Sequence, residues 1–368
     1  MGVAAATAPG LLSATPARAA SAPALATPTG RWPIATTVRH VVDPVRIDPF
    51  TKRRREIMVQ FWYPTRRPGG PCAAYVSRSV SDRLDQGLGV SLPGRFCRIR
   101  THSTGDAPRA GTFPIVLYSH GSGSYRASAT ALCEDLASHG YLVVALDHTF
   151  DSVAVRFPHG RIVGMGDPKI PGWTEEQLPD KLDELRSGDL RLVVDLLRDP
   201  RCPIGAFGHS RGGSAVSAAM GVDSRIVAGL GIDSSIATSV ATNGLPHPFM
   251  LLTEAGDFAP EDGPFGTHWK LFQAHHRGWG RHLDLAGSGH WTFMDPAPLL
   301  DFLGTPDILT ASQIDSLFGT AAIRSRAVPI TRAYVRAFFD RHLKGWSSPL
   351  LNRPSSQYPE ISFRWRQN

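Results

Sequence analysis

The chain has 368 residues, of which 42% are hydrophobic and 19% charged, a composition typical of globular proteins. No apolar run reaches the roughly 18 residues that a membrane-spanning helix needs. The formal net charge of +7 raises the question of a nucleic-acid partner. The basic residues are scattered, however, apart from those at 52–55 and 66–67, and no zinc-ligand spacing or recognition-helix pattern accompanies them. We therefore predict a solvated basic surface, with at most a mild attraction to anionic surfaces, and no nucleic-acid partner.

Residues 1 to about 30 are rich in alanine, proline, threonine and serine and contain no acidic residue. A Leu-Leu pair at 11–12, followed by Ala-Arg-Ala at 17–19, resembles the end of an export signal with an A-x-A cleavage site. The usual positive n-region is missing, and Pro9 breaks the apolar run. We predict an export signal, and hence a secreted protein, over the alternative of a disordered tail. Residues 31–368 are predicted to form a single domain.

The first strands lie near the start of this domain. Val38–Ile47 and Glu56–Tyr63 are rich in β-forming residues, and a basic turn joins them, which predicts a hairpin at one edge of a sheet. Residues from about 65 to 112 carry proline, glycine, serine and arginine without a long periodic run. This pattern predicts an irregular insertion, a lid or pocket wall, rather than a separate domain.

The rest of the chain alternates short apolar runs with helical patterns. Phe113–Ser119 is a continuous apolar run, as expected for a strand buried on both faces. Further strands are predicted at 141–146, 203–207, 226–232, 248–253 and 282–285, helices at 126–139, 175–198, 266–276 and 329–343, and a hairpin around 159–160. Strands alternating with helices predict an α/β fold with a mostly parallel sheet covered on both faces.

The four cysteines give an even count, which suits an oxidising compartment. Of the three connectivities that four cysteines allow, we predict Cys72–Cys97, clamping the insertion, and Cys133–Cys202, tying a helix to the strand that begins near 203. None of the four lies in a Cys-x-x-Cys motif, so a thiol nucleophile is not predicted.

The segment 203–218, PIGAFGHSRGGSAVSA, is typical of a short strand, a glycine-bounded turn and a helix of small residues. Its centre, at 208–212, matches the G-x-S-x-G nucleophile elbow, in which a sharp turn lifts the serine hydroxyl clear of the sheet. Side chains at positions 208 and 212 would collide across so tight a turn. Ser210 is therefore the candidate nucleophile.

A serine hydroxyl needs a base to remove its proton, and the base must be held by a third group. His290 is the best candidate for the base, because it lies in a glycine-rich loop, AGSGHW, just after the strand predicted at 282–285. Four other histidines, each near a strand or a helix end, fit less well: His148, His275, His276 and His282.

Two aspartates compete for the role of the third group. Asp233 ends the strand that follows the elbow helix, and Asp257 follows the next strand. Both satisfy the chain order serine, acid, histidine, and either could instead cap a turn. Position alone leaves the choice open.

An oxyanion that forms during acyl transfer needs two backbone N–H donors. One comes from the residue after the nucleophile, Arg211, and the other from the loop after the third strand, where Ser122 is the natural donor. We expect His120 to brace that loop, and the Arg211 side chain to point to solvent or to a carboxylate.

The segments FPIVLYSHGSGSYR, GHSRGG, GLGID and GSGHWTF, in that order and spacing, resemble the α/β-hydrolase superfamily. They are most similar to its platelet-activating-factor acetylhydrolase-like and actinobacterial secreted lipase branch, and the elbow spelling is also similar to that of chlorophyllases. The likeness spans residues 38 to 345 or so and implies an eight-stranded, mostly parallel sheet. In that branch the acid follows the strand after the elbow helix, which favours Asp233. Cutinases place the acid one strand later, where Asp257 lies.

The resemblance implies a secreted serine carboxylic-ester hydrolase that works through an acyl-enzyme and acts on a lipid or a short-to-medium acyl ester. A cutinase-like polyester hydrolase and a phospholipid acetylhydrolase are the alternatives, and a non-catalytic hydrolase-fold binding protein is an alternative of another class. We expect a monomer that needs no metal and no cofactor. Aromatic residues near the candidate loops indicate an apolar acyl pocket, although aromatics beside a sheet are more often core: Tyr125, Phe150, Trp291 and Phe293.

Overall fold

The structure, a computed structural model, describes residues 22–87, 89, 94–166, 170, 172–197, 199, 201–255 and 263–368. Most of the predicted export signal therefore lies outside the described residues. Within them, no helix is both long and apolar enough to cross a membrane.

One mixed sheet of eleven strands organises the fold, in the order β13-β12-β11-β10-β9-β5-β6-β2-β1-β4-β3. The strands of the described chain are β1 (Ile34–Ile47), β2 (Arg54–Pro64), β3 (Cys72–Ala74), β4 (Arg100–Gly105), β5 (Ile115–Ser119), β6 (Leu142–Asp147), β7 (Val155–Arg156), β8 (Ile162–Val163), β9 (Ile204–His209), β10 (Ile226–Ile232), β11 (Phe249–Glu254), β12 (Gly280–Leu285) and β13 (Ile361–Gln367). β7 and β8 form a separate antiparallel hairpin around the predicted turn.

The six strands β5, β6 and β9 to β12 run parallel to one another and form the centre of the sheet. All residues of β5, β6, β9, β11 and β12 are buried, which explains why β5, β6 and β11 are largely apolar runs, although β12 also buries polar side chains. The helices of the described chain are α1 (Arg78–Gly87), α2 (Thr130–Ser138), α3 (Leu178–Leu196), α4 (Arg211–Val222), α5 (Thr238–Asn243), α6 (Pro264–His275), α7 (Leu300–Leu303), α8 (Ala311–Phe318) and α9 (Ala321–Lys344). Helices α2 to α6 and α9 cover the two faces of the sheet.

The sheet separates two hydrophobic cores. One core packs α2 and α9 against one face, with Tyr118 and Phe207 stacked 4.7 Å apart between ring centroids. The other core packs α3 to α6 against the opposite face, around Leu117 and Phe249. Because each face carries its own helices, the carboxyl ends of the parallel strands stay open for loops that can carry chemistry.

The α/β-hydrolase fold class is confirmed, but the expected count of eight strands is wrong. The additional strands β3 and β4 come from the insertion predicted to be irregular, and β13 comes from the C-terminal tail, where no strand was predicted. β4 pairs in parallel with β1 at Ala35–Thr36, so the N-terminal hairpin is not the outermost part of the sheet. The tail forms β13, antiparallel to β12. Its sequence, ISFRWRQ, alternates apolar and polar residues, which is the strand signal that was missed.

The insertion between about 65 and 112 is also more ordered than predicted. It contains β3, α1 and β4. Helix α1 buries Val80, Ser81, Leu84 and Asp85, so two of its four buried side chains are polar and the helix has few apolar residues to reveal it in the sequence. The buried Asp85 carboxylate accepts hydrogen bonds from the backbone N–H groups of the residues at 94 and 95. This pairing explains how an acidic residue can occupy an inward position.

Both predicted disulfides are wrong, because all four cysteines are free. Cys133 is fully buried in the core on the α2 and α9 face, whereas Cys202 packs against the core on the other face. The sheet therefore lies between the two thiols. Cys72 is exposed on edge strand β3, and the Cys97 Sγ donates to the Gly94 carbonyl at 3.2 Å. An even cysteine count carries no information about where the sheet will place each thiol.

Candidate active site

The predicted elbow is present at the junction of β9 and α4. Ser210 lies between them with φ 54° and ψ −129°, a backbone conformation that residues other than glycine rarely adopt. A Cβ at Gly208 would lie 2.1 Å from the Gly212 carbonyl carbon, and one at Gly212 would lie 2.0 Å from the Ser119 carbonyl oxygen. Both glycines are therefore required by close backbone approach, as the motif predicts.

Asp233 follows β10, which is the sheet neighbour of β9. In the register of this pair Ile232 lies opposite His209, and the Ser210 N–H donates to the Ile232 carbonyl at 2.9 Å. Asp233 has φ 42°, and its Oδ1 accepts the backbone N–H of Glu254 at 3.0 Å. Strand pairing alone therefore places the candidate acid beside the candidate nucleophile.

His290 meets this acid directly. Its Nδ1 donates to Asp233 Oδ2 at 2.5 Å, and both side chains are almost completely buried. The loop that carries His290 is fixed on both sides, because the Trp291 N–H donates to the Leu317 carbonyl at 2.8 Å and a Cβ at Gly289 would lie 2.2 Å from the Ser316 carbonyl oxygen. The glycine next to the histidine thus lets the loop pack against α8.

Burial sets the charge state of the pair. Burial lowers the pKa of His290 to about 4 and raises the pKa of Asp233 to about 6. The hydrogen bond from the Glu254 backbone N–H lowers the Asp233 pKa and so offsets part of the effect of burial. At neutral pH the imidazole is therefore neutral and the carboxylate ionised. A neutral imidazole whose Nδ1 proton is bound to a carboxylate leaves Nε2 as a proton acceptor.

His209, which sequence reasoning missed, supports the same loop. Its Nε2 donates to the His290 backbone carbonyl at 2.8 Å, and the two rings lie 4.6 Å apart between centroids. Burial lowers the pKa of His209 to about 3, so this ring stays neutral. The signal for such a residue was its place immediately before Ser210, but nothing in the sequence indicated that it would contact the histidine loop.

The predicted oxyanion loop passes next to the nucleophile, since a Cβ at Gly121 would lie 3.2 Å from the Ser210 Cβ. The Gly123 N–H donates to the Asp151 carbonyl at 2.9 Å and the Ser124 N–H to the Gly121 carbonyl at 3.1 Å. The N–H groups of Ser122 and Arg211, by contrast, have no acceptor within the part of the chain that the structure describes. These two amides are available to a ligand.

The neighbouring side chains behave as expected. His120 braces the loop, with Nδ1 bonded to the Gly121 carbonyl at 2.6 Å and Nε2 bonded to the Ser152 hydroxyl at 2.8 Å. The Arg211 guanidinium lies 3.6 Å from the Asp183 carboxylate. Asp257, the alternative acid, lies outside the described residues.

A largely apolar cavity of about 580 Å³ adjoins these loops. Gly123, Ser124 and Trp291 bring it next to the oxyanion loop and to His290, while its far wall is built by α1, α7 and α8. Of the four aromatics singled out in the sequence, Tyr125 and Trp291 line this cavity. Phe293 belongs to the core, and Phe150 stacks on Phe50 at 4.9 Å between ring centroids.

No cluster of three or more histidine, cysteine, aspartate or glutamate side chains suited to a metal ion occurs among the described residues. The acid–histidine pair, the elbow serine and the two available amides are instead arranged at the carboxyl ends of parallel strands. Together with the sheet topology, these features define an α/β-hydrolase.

Comparisons with known proteins agree. Residues 96–158 match the family model described as platelet-activating factor acetylhydrolase, isoform II. A probable 1-alkyl-2-acetylglycerophosphocholine esterase from Arthroderma benhamiae is 30% identical over 262 residues, covering 68% of this chain and 66% of that protein. The platelet-activating factor acetylhydrolase of Bos taurus is 27% identical over 158 residues, 33% of this chain and 35% of its own length. The alignments thus leave about a third of the fungal relative and most of the bovine one unmatched.

A solved structure covers more of the chain. The ferulic acid esterase from Streptomyces cinnamoneus superposes with a TM-score of 0.83 at 36% sequence identity, over 94% of this chain and 100% of that one. The chain belongs to the α/β-hydrolase superfamily, in its platelet-activating-factor acetylhydrolase-like family. These relatives are carboxylic-ester hydrolases, and the expected enzyme class is confirmed.

Proposed function

We propose that the protein is a serine carboxylic-ester hydrolase in which Ser210, His290 and Asp233 form the catalytic triad. The observation that carries this proposal is the 2.5 Å contact between His290 Nδ1 and Asp233 Oδ2, beside a serine held at φ 54°. In this assignment Asp233 fixes the imidazole tautomer and stabilises the imidazolium that forms during turnover.

The reaction proceeds in two halves. His290 Nε2 takes the Ser210 hydroxyl proton while Oγ forms a bond to the ester carbonyl carbon, giving a tetrahedral oxyanion. The carbon–oxygen bond to the alcohol then breaks, and the imidazolium returns the proton to the leaving alkoxide. In the second half, water loses a proton to His290 and attacks the acyl-enzyme carbonyl carbon. The bond between that carbon and Ser210 Oγ then breaks, and the imidazolium returns the proton to Oγ, which releases the acid and restores the serine. Throughout, the N–H groups of Ser122 and Arg211 donate to the oxyanion.

The cavity favours a substrate class. Its volume of about 580 Å³ and its lining of leucine, isoleucine and aromatic side chains suit an acyl group larger than acetyl. The named relatives act on an acetyl ester of a glycerophosphocholine and on an ester of ferulic acid, an aromatic acid. We propose an apolar acyl group, aliphatic or aromatic, as the preferred substrate, with an acetyl ester as the alternative.

We also propose that the protein is secreted and acts as a monomer on a small-molecule or lipid ester. The alanine-rich N-terminal segment with its A-x-A sequence supports export. Because the cysteines are free, disulfides no longer contribute to this argument.

Replacing the nucleophile tests the reaction itself. We expect Ser210→Ala to lower kcat for a p-nitrophenyl ester by several orders of magnitude while the melting temperature stays within a few degrees of the wild type. A fluorophosphonate probe should label the wild type at Ser210 and leave the variant unlabelled. Hydrolysis retained in the variant, or a wild type that takes no label, would favour the non-catalytic binding protein.

The choice of acid is tested by two matched amide substitutions. Asp233→Asn should lower kcat about 10⁴-fold, because an asparagine amide in place of the carboxylate would favour the wrong tautomer of the His290 imidazole. Asp257→Asn should change kcat less than about threefold, since the acid role is already filled. If only the Asp257 variant loses activity, the cutinase-like assignment replaces the one proposed.

The pH dependence follows from the charge states of the pair. The reactive form needs neutral His290 and ionised Asp233, and their pKa values of about 4 and about 6 place both conditions above pH 6. We therefore expect kcat/KM to be highest near neutrality and to fall as the pH drops through about 6 and then about 4. The measurement is kcat/KM for a p-nitrophenyl ester, with unfolding monitored at each pH. A profile that stays flat down to about pH 4 would contradict this assignment.

An acyl-chain series tests the substrate class. We expect kcat/KM to rise from acetate towards octanoate by up to about fourfold per methylene, the effect of burying one CH₂ group. Leu317→Glu, in the lining of the cavity, should abolish most of that gain, whereas Val222→Glu, at a more exposed position at the end of α4, should not. A wild type that hydrolyses acetate fastest, with no effect of Leu317→Glu, would favour the acetylhydrolase alternative. Micellar and polymeric esters in the same series separate lipase from polyesterase activity.

A further inference from the structure

Helix α3 buries a line of charges against the site. Leucines recur at helical spacing in its first half, yet Leu178, Leu182 and Leu185 are only partly buried. Asp183, Arg186 and Asp189, spaced three residues apart, point inward and are at most 6% exposed. Buried charges of this kind are costly unless each is paired, so their partners indicate what the line of charges does.

Arg186 connects α3 to the oxyanion loop. Its Nε donates to Asp151 Oδ2 at 2.6 Å, and its Nη1 donates to the His120 carbonyl. The other carboxylate oxygen, Asp151 Oδ1, accepts the Ser122 hydroxyl at 2.8 Å. Asp151 is 4% exposed and Arg186 is 1% exposed, so the ion pair behind the loop is shielded from water, whereas Ser122 at the end of the connection is exposed.

This connection holds Ser122, whose own N–H has no acceptor among the described residues. The backbone carbonyl of Asp151 holds the Gly123 N–H, while the Asp151 carboxylate holds the Ser122 side chain. Ser122 is thus held by its side chain on one side and by its neighbouring peptide on the other, which fixes the direction of its own N–H. Gly123, with φ +67°, has no Cβ to restrict its backbone, so these contacts supply the restraint that a side chain would give elsewhere.

The second candidate donor is tied to the same helix. The Arg211 guanidinium lies 3.6 Å from Asp183, and the Ser214 hydroxyl on the first turns of α4 also donates to Asp183. Both halves of the candidate oxyanion hole, one after β5 and one after β9, are therefore held by contacts to α3. Residues that hold donors rigid before the reaction lower the cost of reorganisation in the transition state.

We propose that Asp151 and Arg186 are positioning residues that orient the Ser122 N–H towards the oxyanion, with the Ser122 hydroxyl as the point of attachment. The inference rests on the proposed function. A displacement of about 1 Å in such a donor can cost about 100-fold in rate. The effect should appear in the transition state and not in the binding of the ground-state ester.

The experiment compares Asp151→Asn, Ser122→Ala and the double variant, using a soluble p-nitrophenyl ester. We expect each single change to lower kcat about 10- to 100-fold with KM within about twofold, and the affinity for a trifluoromethyl ketone to fall by the same factor as kcat/KM. The double variant should lose little more than the worse single variant, because both changes break the same connection. Arg186→Lys should retain more activity than Arg186→Met, since it keeps the charge next to Asp151.

Arg332→Lys provides the matched control. Arg332 is a buried arginine of α9 that donates to the backbone carbonyls of Ala26, Thr27 and Ala131, away from the oxyanion loop. The Arg332→Lys variant should have a lower melting temperature but the same kcat and the same affinity for the trifluoromethyl ketone as the wild type. If the Arg186 variants fail to fold, Asp151→Asn and Ser122→Ala still decide the question.

The outcomes separate this inference from the proposed function. A wild type that is not labelled at Ser210 by a fluorophosphonate overturns the function and the inference with it. A labelled wild type, combined with single variants whose kcat and ketone affinity are unchanged, overturns the inference alone. Losses that multiply in the double variant, or that appear in KM only, overturn it as well.

Discussion

The register between β9 and β10 is the constraint on which the site depends. Ile232 lies opposite His209, so the two residues that follow, Asp233 and Ser210, leave the sheet at the same level. Both turn away with positive φ, 42° and 54°, although neither is glycine. Each such conformation costs about 1–3 kcal/mol and persists only where the surroundings enforce it. Here the buried strands and the glycines of the elbow enforce it, and the Asp233 N–H donates to the Leu252 carbonyl of β11 at 2.8 Å.

The polar interior behind the site solves a second problem. Loops that carry working groups are usually mobile, but the loop at 120–123 and the start of α4 must keep their amides in place. Buried charges on α3 hold both, and Asp189 extends the same line by a bidentate pair with Arg55 and a 3.0 Å contact with His148. Since these partners come from β2 and from the loop after β6, one helix fixes several loop-bearing strand ends relative to one another. The cost of burying these groups is offset by their mutual pairing.

Sequence reasoning succeeded where one physical signal dominated. Buried parallel strands are continuous apolar runs, and Ile226–Ile232 was predicted with the bounds that the structure has. It failed where the signal was mixed. Helix α9 was predicted to begin at Pro329, because proline is common in the first turn of a helix. It begins eight residues earlier, at Ala321, where the Thr320 side chain caps it by accepting the Ile323 N–H. On α3 the helix was predicted, at 175–198, but its buried charges were not, since their partners lie 28 or more residues away.

The candidate site shows the same division. The elbow, the histidine loop and the oxyanion loop each have a local motif, and all three are brought to one end of the sheet. Asp233 and Asp257 could not be separated by position, because what distinguishes an acid that contacts His290 is the strand register, a non-local property. His209 and Asp151 had no motif at all. Their importance comes from hydrogen bonds to chain segments 81 and 29 residues away, respectively.

Specificity has a different origin from the chemistry. The groups around Ser210 come from turns at the carboxyl ends of the central strands, whereas the apolar cavity beside them is lined largely by α1, α7 and α8. Those segments lie at the periphery and pack mainly on one another, in two small clusters separate from the cores of the sheet. Substitutions there can reshape the cavity without disturbing β9, β10 or the strained turns after them. A common catalytic frame can therefore serve relatives whose names refer to acids as different as acetic and ferulic acid.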